Sequence, residues 1–411
     1  MNNNKLRNII IVVVLVLLVP VSVMAWDFGF LIDQKVEASG TDGDHDIRYQ
    51  LGLVPYLSIL AGDSSEIFLS GGFNAIHEQD DWGFYPELLR STFTWSSDSA
   101  KIQAGRMPYT DPLDFVANGL FDGAQFSYNS RAGVFSVGAW YTGLLNKEKA
   151  NILITTGDRE EYDSKIDMSS FSDTYFASRR FVASLGWEHP AIAEILQLRM
   201  AVTGQIDFND NDDKLHSEYF TLKARLPVKR FLFELGGGVQ IMQVQTPVKD
   251  DVFIGLAGDF GMHWLLPTSF DSRLSLSGQI TSGRSDSNDL IAAFIPINTK
   301  SVGNVLNAEL TGISIFNLNY TARLHRTLSA TLSAAHLVRS DLGTYREYPA
   351  VEGSDNGYFL GTEFFGRVTW SPVSDLRFEL GGGVFTPALG DAGPDREPMW
   401  RLDLSLVFAL F

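Results

Sequence analysis

Alternation of apolar and polar residues over about ten positions, repeated along the chain, constrains this sequence more than any other feature. The clearest stretch sets Leu196, Leu198, Met200, Val202 and Ile206 on one side of an extended backbone. Gln197, Arg199, Thr203, Gln205 and Asp207 take the other. Both faces must meet a suitable medium. In a soluble sandwich the apolar face packs on a second sheet, whereas in a lipid-spanning barrel it points outward and the polar face lines a lumen. The 29 Phe, 13 Tyr, 8 Trp and 37 Gly favour β-structure in either case.

Connection lengths favour the barrel. Short turns at Ser96-Ser97-Asp98, Asn129-Ser130-Arg131, Pro227-Val228-Lys229, His325-Arg326 and Pro372-Val373-Ser374 alternate with nine longer segments. These are Ala38–Asp46, His77–Pro86, Met107–Gly119, Leu144–Asp173, Asn209–Leu215, Thr246–Asp251, Ser282–Leu306, Ser340–Asn356 and Pro387–Pro398. The expected fold is all-β: a single transmembrane antiparallel β-barrel of about 18 strands, range 16–20, spanning residues 26–411. An even count places both termini in the periplasm. A repeat supports the register, because Val228–Val239 recurs as Val373–Val384, with Phe-Glu-Leu-Gly-Gly-Gly-Val in each copy.

Residues 1–25 read as a signal peptide. Lys5 and Arg7 precede the apolar run Ile9–Val19, Pro20 ends it, and Val23-Met24-Ala25 supplies a small-residue cleavage site. With no Cys there are no disulfides, zinc ribbons, thiol nucleophiles or lipid-anchor site. A net charge of −17 argues against a nucleic-acid partner.

At the C-terminus, Arg401, Asp403 and Ser405 alternate with Leu402, Leu404, Leu406, Phe408 and Leu410 before the final Phe411. This resembles the closing strand of bacterial outer-membrane barrels. That resemblance implies outer-membrane lipid and the barrel-insertion machinery as partners, and a Gram-negative-type outer membrane as the location. Phe411 is out of phase with the leucines, which predicts a bulge near Val407. Trp26, Trp95, Trp187, Trp264, Trp370 and Trp400 fall near strand ends, as interfacial girdles require.

A second resemblance is carried by Lys101-Ile-Gln-Ala-Gly-Arg-Met-Pro-Tyr-Thr-Asp-Pro112 and Gly119-Leu-Phe-Asp-Gly-Ala-Gln-Phe126. It is similar to the Gly-Arg strand end, loop and Phe-Asp-Gly strand start of alginate-export-type and related substrate-selective porins. The resemblance implies a channel through the lumen of one chain, one loop folded inward, and a small hydrophilic solute or a polysaccharide as cargo. Composition agrees for Met107–Gly119: Pro108, Tyr109, Pro112, Leu113, Phe115 and Val116 make it the least charged long loop. Gly236, Gly238, Gly381 and Gly383 leave room on inward faces, and Arg106 can reach Asp111 or Asp122. Pro108, Tyr109, Asp111, Phe115 and Asp122 are therefore the candidate constriction residues.

On the same alternation, Arg48, Arg90, Lys101, Arg180, Arg199, Lys223, Arg225, Arg273, Arg323, Arg367, Arg377 and Arg401 face the lumen, with Arg106 at the loop root. Glu66, Asp207, Glu234, Asp259, Glu363, Glu379 and Asp403 oppose them. One account is that strand charges belong inside, since an outward Lys or Arg at mid-bilayer costs ~2–4 kcal/mol. The other is a basic girdle near the short turns that selects anionic solutes.

Seven scattered His, with no HExxH, GxSxG or phosphate-binding Gly loop, give no enzyme signature and imply no cofactor. Asp207–Glu218 spaces oxygens like a calcium loop, but Asp212 replaces the Gly at its sixth position, so it reads as a solvated hairpin and not a metal site. Two functions remain: a passive channel for hydrophilic, possibly anionic, solutes, or a surface-exposed structural or adhesive barrel with a closed lumen.

Overall fold

The computed structural model describes residues 24–78, 81–210, 213–247, 250–284, 290–342 and 357–410. The first strands are β1 (Met24–Gly40), β2 (His45–Ala61), β3 (Ser65–Glu78), β4 (Asp81–Ser96), β5 (Ala100–Thr110) and β6 (Asn118–Ser130). Then come β7 (Gly133–Tyr141), β8 (Arg180–Ile192), β9 (Leu196–Asp207), β10 (Lys214–Val228), β11 (Phe231–Gln245) and β12 (Asp250–Leu265). The last are β13 (Arg273–Thr281), β14 (Ile313–His325), β15 (Leu328–Arg339), β16 (Phe359–Val373), β17 (Leu376–Thr386) and β18 (Met399–Leu410). Each pairs antiparallel with the next, and β18 returns to β1 from Phe30↔Leu410 to Gly40↔Trp400, closing an 18-stranded barrel. Closure leaves no free edge around the ring, the condition an apolar exterior imposes on a sheet.

The alternation sorts side chains as a barrel demands. In β9, Val202 and Ile206 are exposed on the outside, while Ala201, Thr203, Gln205 and Asp207 are buried within. The two copies of the repeat lie in the eleventh and seventeenth strands, each leaving a two-residue turn at 229–230 or 374–375. Trp26, Trp95, Trp187, Trp264 and Trp370 gather at the short-turn end. Trp264 stacks on Phe231, and Trp370 on Phe378.

Three expectations need correction. The segment His77–Pro86 is no long loop, because β3 runs to Glu78 and β4 starts at Asp81. Likewise only 41–44 separates β1 from β2. Ladder hydrogen bonds do not depend on apolar side chains, so pairing continues past the apolar belt into polar sequence. No bulge occurs near Val407: β18 keeps unbroken register with both β17 and β1. Phe411, Asp212 and most of the signal-peptide segment lie outside the described residues.

Within the barrel, the segments 111–117 and 290–312 meet in one apolar cluster, and 142–179 packs in a second one with Leu215 and Met242 of the wall. Leu113, Phe115 and Val116 pack with Phe294 and Ile297 against Trp140, Val182 and Tyr219 of the wall, all almost inaccessible. Outside the barrel lipid would cover apolar groups without any hydrophobic gain between strands. Inside, each large side chain withdrawn from water contributes about 1.5–3 kcal/mol.

Candidate functional site

The ladder lengths explain how the first of these segments arrives in the lumen. β4 and β5 pair only from Ser91↔Arg106 to Ser96↔Lys101, and β6 and β7 stop at Asp122↔Tyr141. β5 and β6 nevertheless stay paired out to Thr110↔Asn118. The tip of this hairpin therefore has no neighbour in the wall on either side, and it turns inward. Gly105 makes the bend: at φ 113° its missing Cβ would lie 1.9 Å from the Ser91 carbonyl oxygen. Further in, a Cβ on Gly236 or Gly238 would fall 2.6 and 3.0 Å from the methyls of Leu113, so these glycines make the space that the tip fills.

Departure of the hairpin strips β4 of a partner, and Arg106 takes over. Its guanidinium donates to both Asp122 oxygens at 2.8 and 2.7 Å, to the Leu88 carbonyl of β4 at 2.6 Å, and to Leu144 O at 2.7 Å. A five-donor planar fork is the one side chain able to serve a carboxylate and two carbonyls together. Arg106 is thus a buried hinge pin. The loop expected over Met107–Gly119 is confined to 111–117, with Pro108 and Tyr109 in β5 and Asp122 in β6. Pro108, which has no N–H to offer, sits where β5 has lost its β4 neighbour. Tyr109 packs on Trp140 at 4.2 Å between ring centroids.

Asp111 has no bond to Arg106. Its carboxylate accepts from the backbone N–H groups of Leu113, Val116 and Ala117 at 2.8, 2.8 and 3.1 Å, folding the tip upon itself. Burial pushes its carboxyl above the usual range, against those three donors.

The 290–312 segment docks on this tip. Ile297 N donates to Val116 O at 2.7 Å, Phe294 meets Phe115 edge to face, and Asn298 bridges Asn118 N and Ala150 O. Glu363, on β16, accepts from the N–H groups of Asn304, Val305 and Leu306 at 2.6, 3.0 and 3.4 Å. The 142–179 segment is pinned by Arg180, which is wholly buried and meets Asp158 at 2.5 Å, Asp207 at 3.0 Å and Gln205 at 2.7 Å. Asp158 belongs to the helix Thr156–Asp163, capped by Thr155.

These contacts change the assignment of several lumen residues. Arg106, Arg180, Lys223 and Glu363, expected to line an open pore, are each 5% exposed or less. Lys223 lies between Asp259 at 2.6 Å and Asp114 at 3.4 Å. The basic girdle is also largely neutralised: Arg225 meets Glu234 at 2.8 Å, Arg323 faces Asp271 at 3.8 Å, and Arg377 pairs with Glu379. Lys101 and Arg273 are exposed at the short-turn end. Arg48 lies between Glu78 and Glu148 at 3.9 and 3.7 Å, and Arg90 covers the Phe68 ring at 4.6 Å.

Across the lumen the wall borders open space. Lys35 of β1, Arg367 of β16, Glu379 of β17, and Arg401, Asp403 and Ser405 of β18 border a cavity of about 290 Å³. Gly303, Asn304 and Asn307 form its far side. Charges alternate along it: Lys35 meets Glu37 at 2.6 Å, Arg401 meets Glu37 and also Asp403 at 2.8 Å, and Arg367 approaches Asp403 at 3.9 Å. Among the described residues no group of three His, Asp or Glu side chains is placed to hold a metal ion.

No protein-family model matches the chain, and no curated protein is similar to it at a significant level. Solved structures are. Pseudomonas aeruginosa OccK2 (OpdF) in complex with glucuronate superposes with a TM-score of 0.60 at 12% identity, covering 94% of this chain and 98% of that one. OccK11 (OpdR) of the same organism gives 0.59 at 11% identity, covering 94% and 96%. The P. aeruginosa outer membrane protein OpdK gives 0.59 at 9% identity, covering 94% and 98%. At such identities the likeness is one of fold: an 18-stranded barrel of the Occ/Opd kind. It lends no support to the alginate-export side of the sequence resemblance.

Proposed function

We propose that this protein is an outer-membrane channel for passive diffusion of small hydrophilic solutes, with sugar acids and similar carboxylates as the class best matched. The observation that carries this reading is the polar cavity along β1 and β16–β18, where inward charged side chains border open space while loops fill much of the lumen around β6–β11. Paired cations there can exchange a wall carboxylate for one on a passing solute, keeping the charge compensated at each step. A neighbour of the same fold was solved with glucuronate, a small carboxylate of this class. On this reading residues 1–25 are removed on export, both termini are periplasmic, the last strand is read by the insertion machinery, and the 111–117 tip narrows the path.

A second reading rests on the lumen core: three inward segments close so much of the barrel that it could serve as an adhesive scaffold. Planar-bilayer recording on refolded mature protein separates the two. Stepwise conductance is the expected result, and a folded, heat-modifiable but silent barrel supports the adhesin.

A further inference from the structure

The inward hairpin carries one carboxylate that its own fold does not use. Asp111 is consumed by the three N–H groups of the tip, but Asp114 points away toward the wall. It adopts φ 65°, a left-handed conformation that Asp tolerates better than most residues. Two bonds fix it there: Asp114 N donates to Asp111 O at 3.2 Å, and Asn118 Nδ2 donates to Asp114 O at 3.2 Å. Its side chain, more than a third exposed, stands 3.4 Å from Lys223 Nζ and 3.8 Å from Arg199 Nη1.

The two cations differ in how they are held. Lys223 is buried and already bound to Asp259 at 2.6 Å, with Glu234 at 3.6 Å. Arg199 is partly exposed, and its carboxylate neighbours, Asp114 at 3.8 Å and Glu188 at 3.6 Å, both lie beyond hydrogen-bond distance. A guanidinium 27% exposed and held only in loose ion pairs is available to a solute carboxylate that takes the place of Asp114, the one of its two carboxylate neighbours carried by the inward tip.

We propose that Asp114 is a tethered counter-ion that masks Arg199, limiting anion passage by occupying the place a solute carboxylate would take. This rests on the channel reading above. The site would recognise a monovalent carboxylate or a similar small anion. Removing one negative charge about 4 Å from the guanidinium should favour anions over cations by roughly threefold to tenfold.

The test is the reversal potential across a potassium chloride gradient, and again with potassium glucuronate, for wild type, Asp114→Asn, Arg199→Gln and the double variant. Heat-modifiable migration confirms folding of each. Asp114→Asn should raise the anion-to-cation permeability ratio severalfold, and the double variant should match Arg199→Gln alone. A conducting wild type whose ratio is unmoved by Asp114→Asn overturns the proposal while leaving the channel in place. So does a gain of equal size in the Arg199→Gln background. A silent wild type overturns the channel reading and the proposal together.

Discussion

The two sides of the lumen are built from the same alternating strands, yet they end in opposite states. Around β6–β11 the inward positions are covered by loops: Trp140, Val182 and Tyr219 join an apolar core, and Arg180 is sealed with its carboxylates. Around β1 and β16–β18 the inward positions Lys35, Arg367, Glu379, Arg401, Asp403 and Ser405 border open space. Alternation dictates only which residues face in. Whether they become core or channel depends on which loops turn back, and that is settled where a ladder ends early, at Arg106 and Asp122. The polar cavity is therefore off-centre, against the closure of the barrel.

The largest effect should come from the packed side. Arg180→Ala leaves Asp158 and Asp207 buried without their cation, a loss of about 3–5 kcal/mol. Protease should then cut within 142–179 in barrels that still migrate as folded, and resistance equal to wild type would mean that this segment is held by other contacts. Next in size, replacing Leu113–Val116 by Gly-Ser-Gly-Ser removes the side chains that dock on Phe294 and on Gly236. Single-channel conductance should rise severalfold, and an unchanged value would confine the pore to the opposite wall without any role for the tip. The smallest effect belongs to the rim. Arg323→Gln breaks an exposed pair worth about 0–1 kcal/mol and should leave conductance and stability as they are. A marked loss of anion preference in that variant would restore the basic girdle.

Much of the barrel was legible in the sequence, because an apolar exterior and a polar interior impose a two-residue period that survives into the folded wall. The strand number followed from alternating connection lengths, and Val228–Val239 with its repeat fixed the parity of two strands. Loop ends were less legible: nothing in Met107–Thr110 says that β5 continues, since a ladder can extend through any residues able to pair. The interior was read in part. The largely apolar tip at Pro112–Val116 stood out, but the apolar Ile291-Ala-Ala-Phe-Ile-Pro-Ile297 offered the same compositional signal within the long connection Ser282–Leu306. The pairing of Arg180 with Asp158 and of Glu363 with the Asn304–Leu306 backbone depends on loops returning over long sequence distances, and local pattern carries no trace of that.

The absence of cysteine makes the proposed off-centre passage directly testable. Ser405, which borders the polar cavity, and Ser217, buried on β10 where it accepts from Gln240, both face inward. Each is replaced singly by Cys and exposed to a charged methanethiosulfonate during bilayer recording. Rapid modification of Ser405→Cys with a stepwise fall in conductance, and no response from Ser217→Cys, is the predicted result. Equal reaction at both positions, or reaction only at Ser217→Cys, would contradict a passage along β1 and β16–β18.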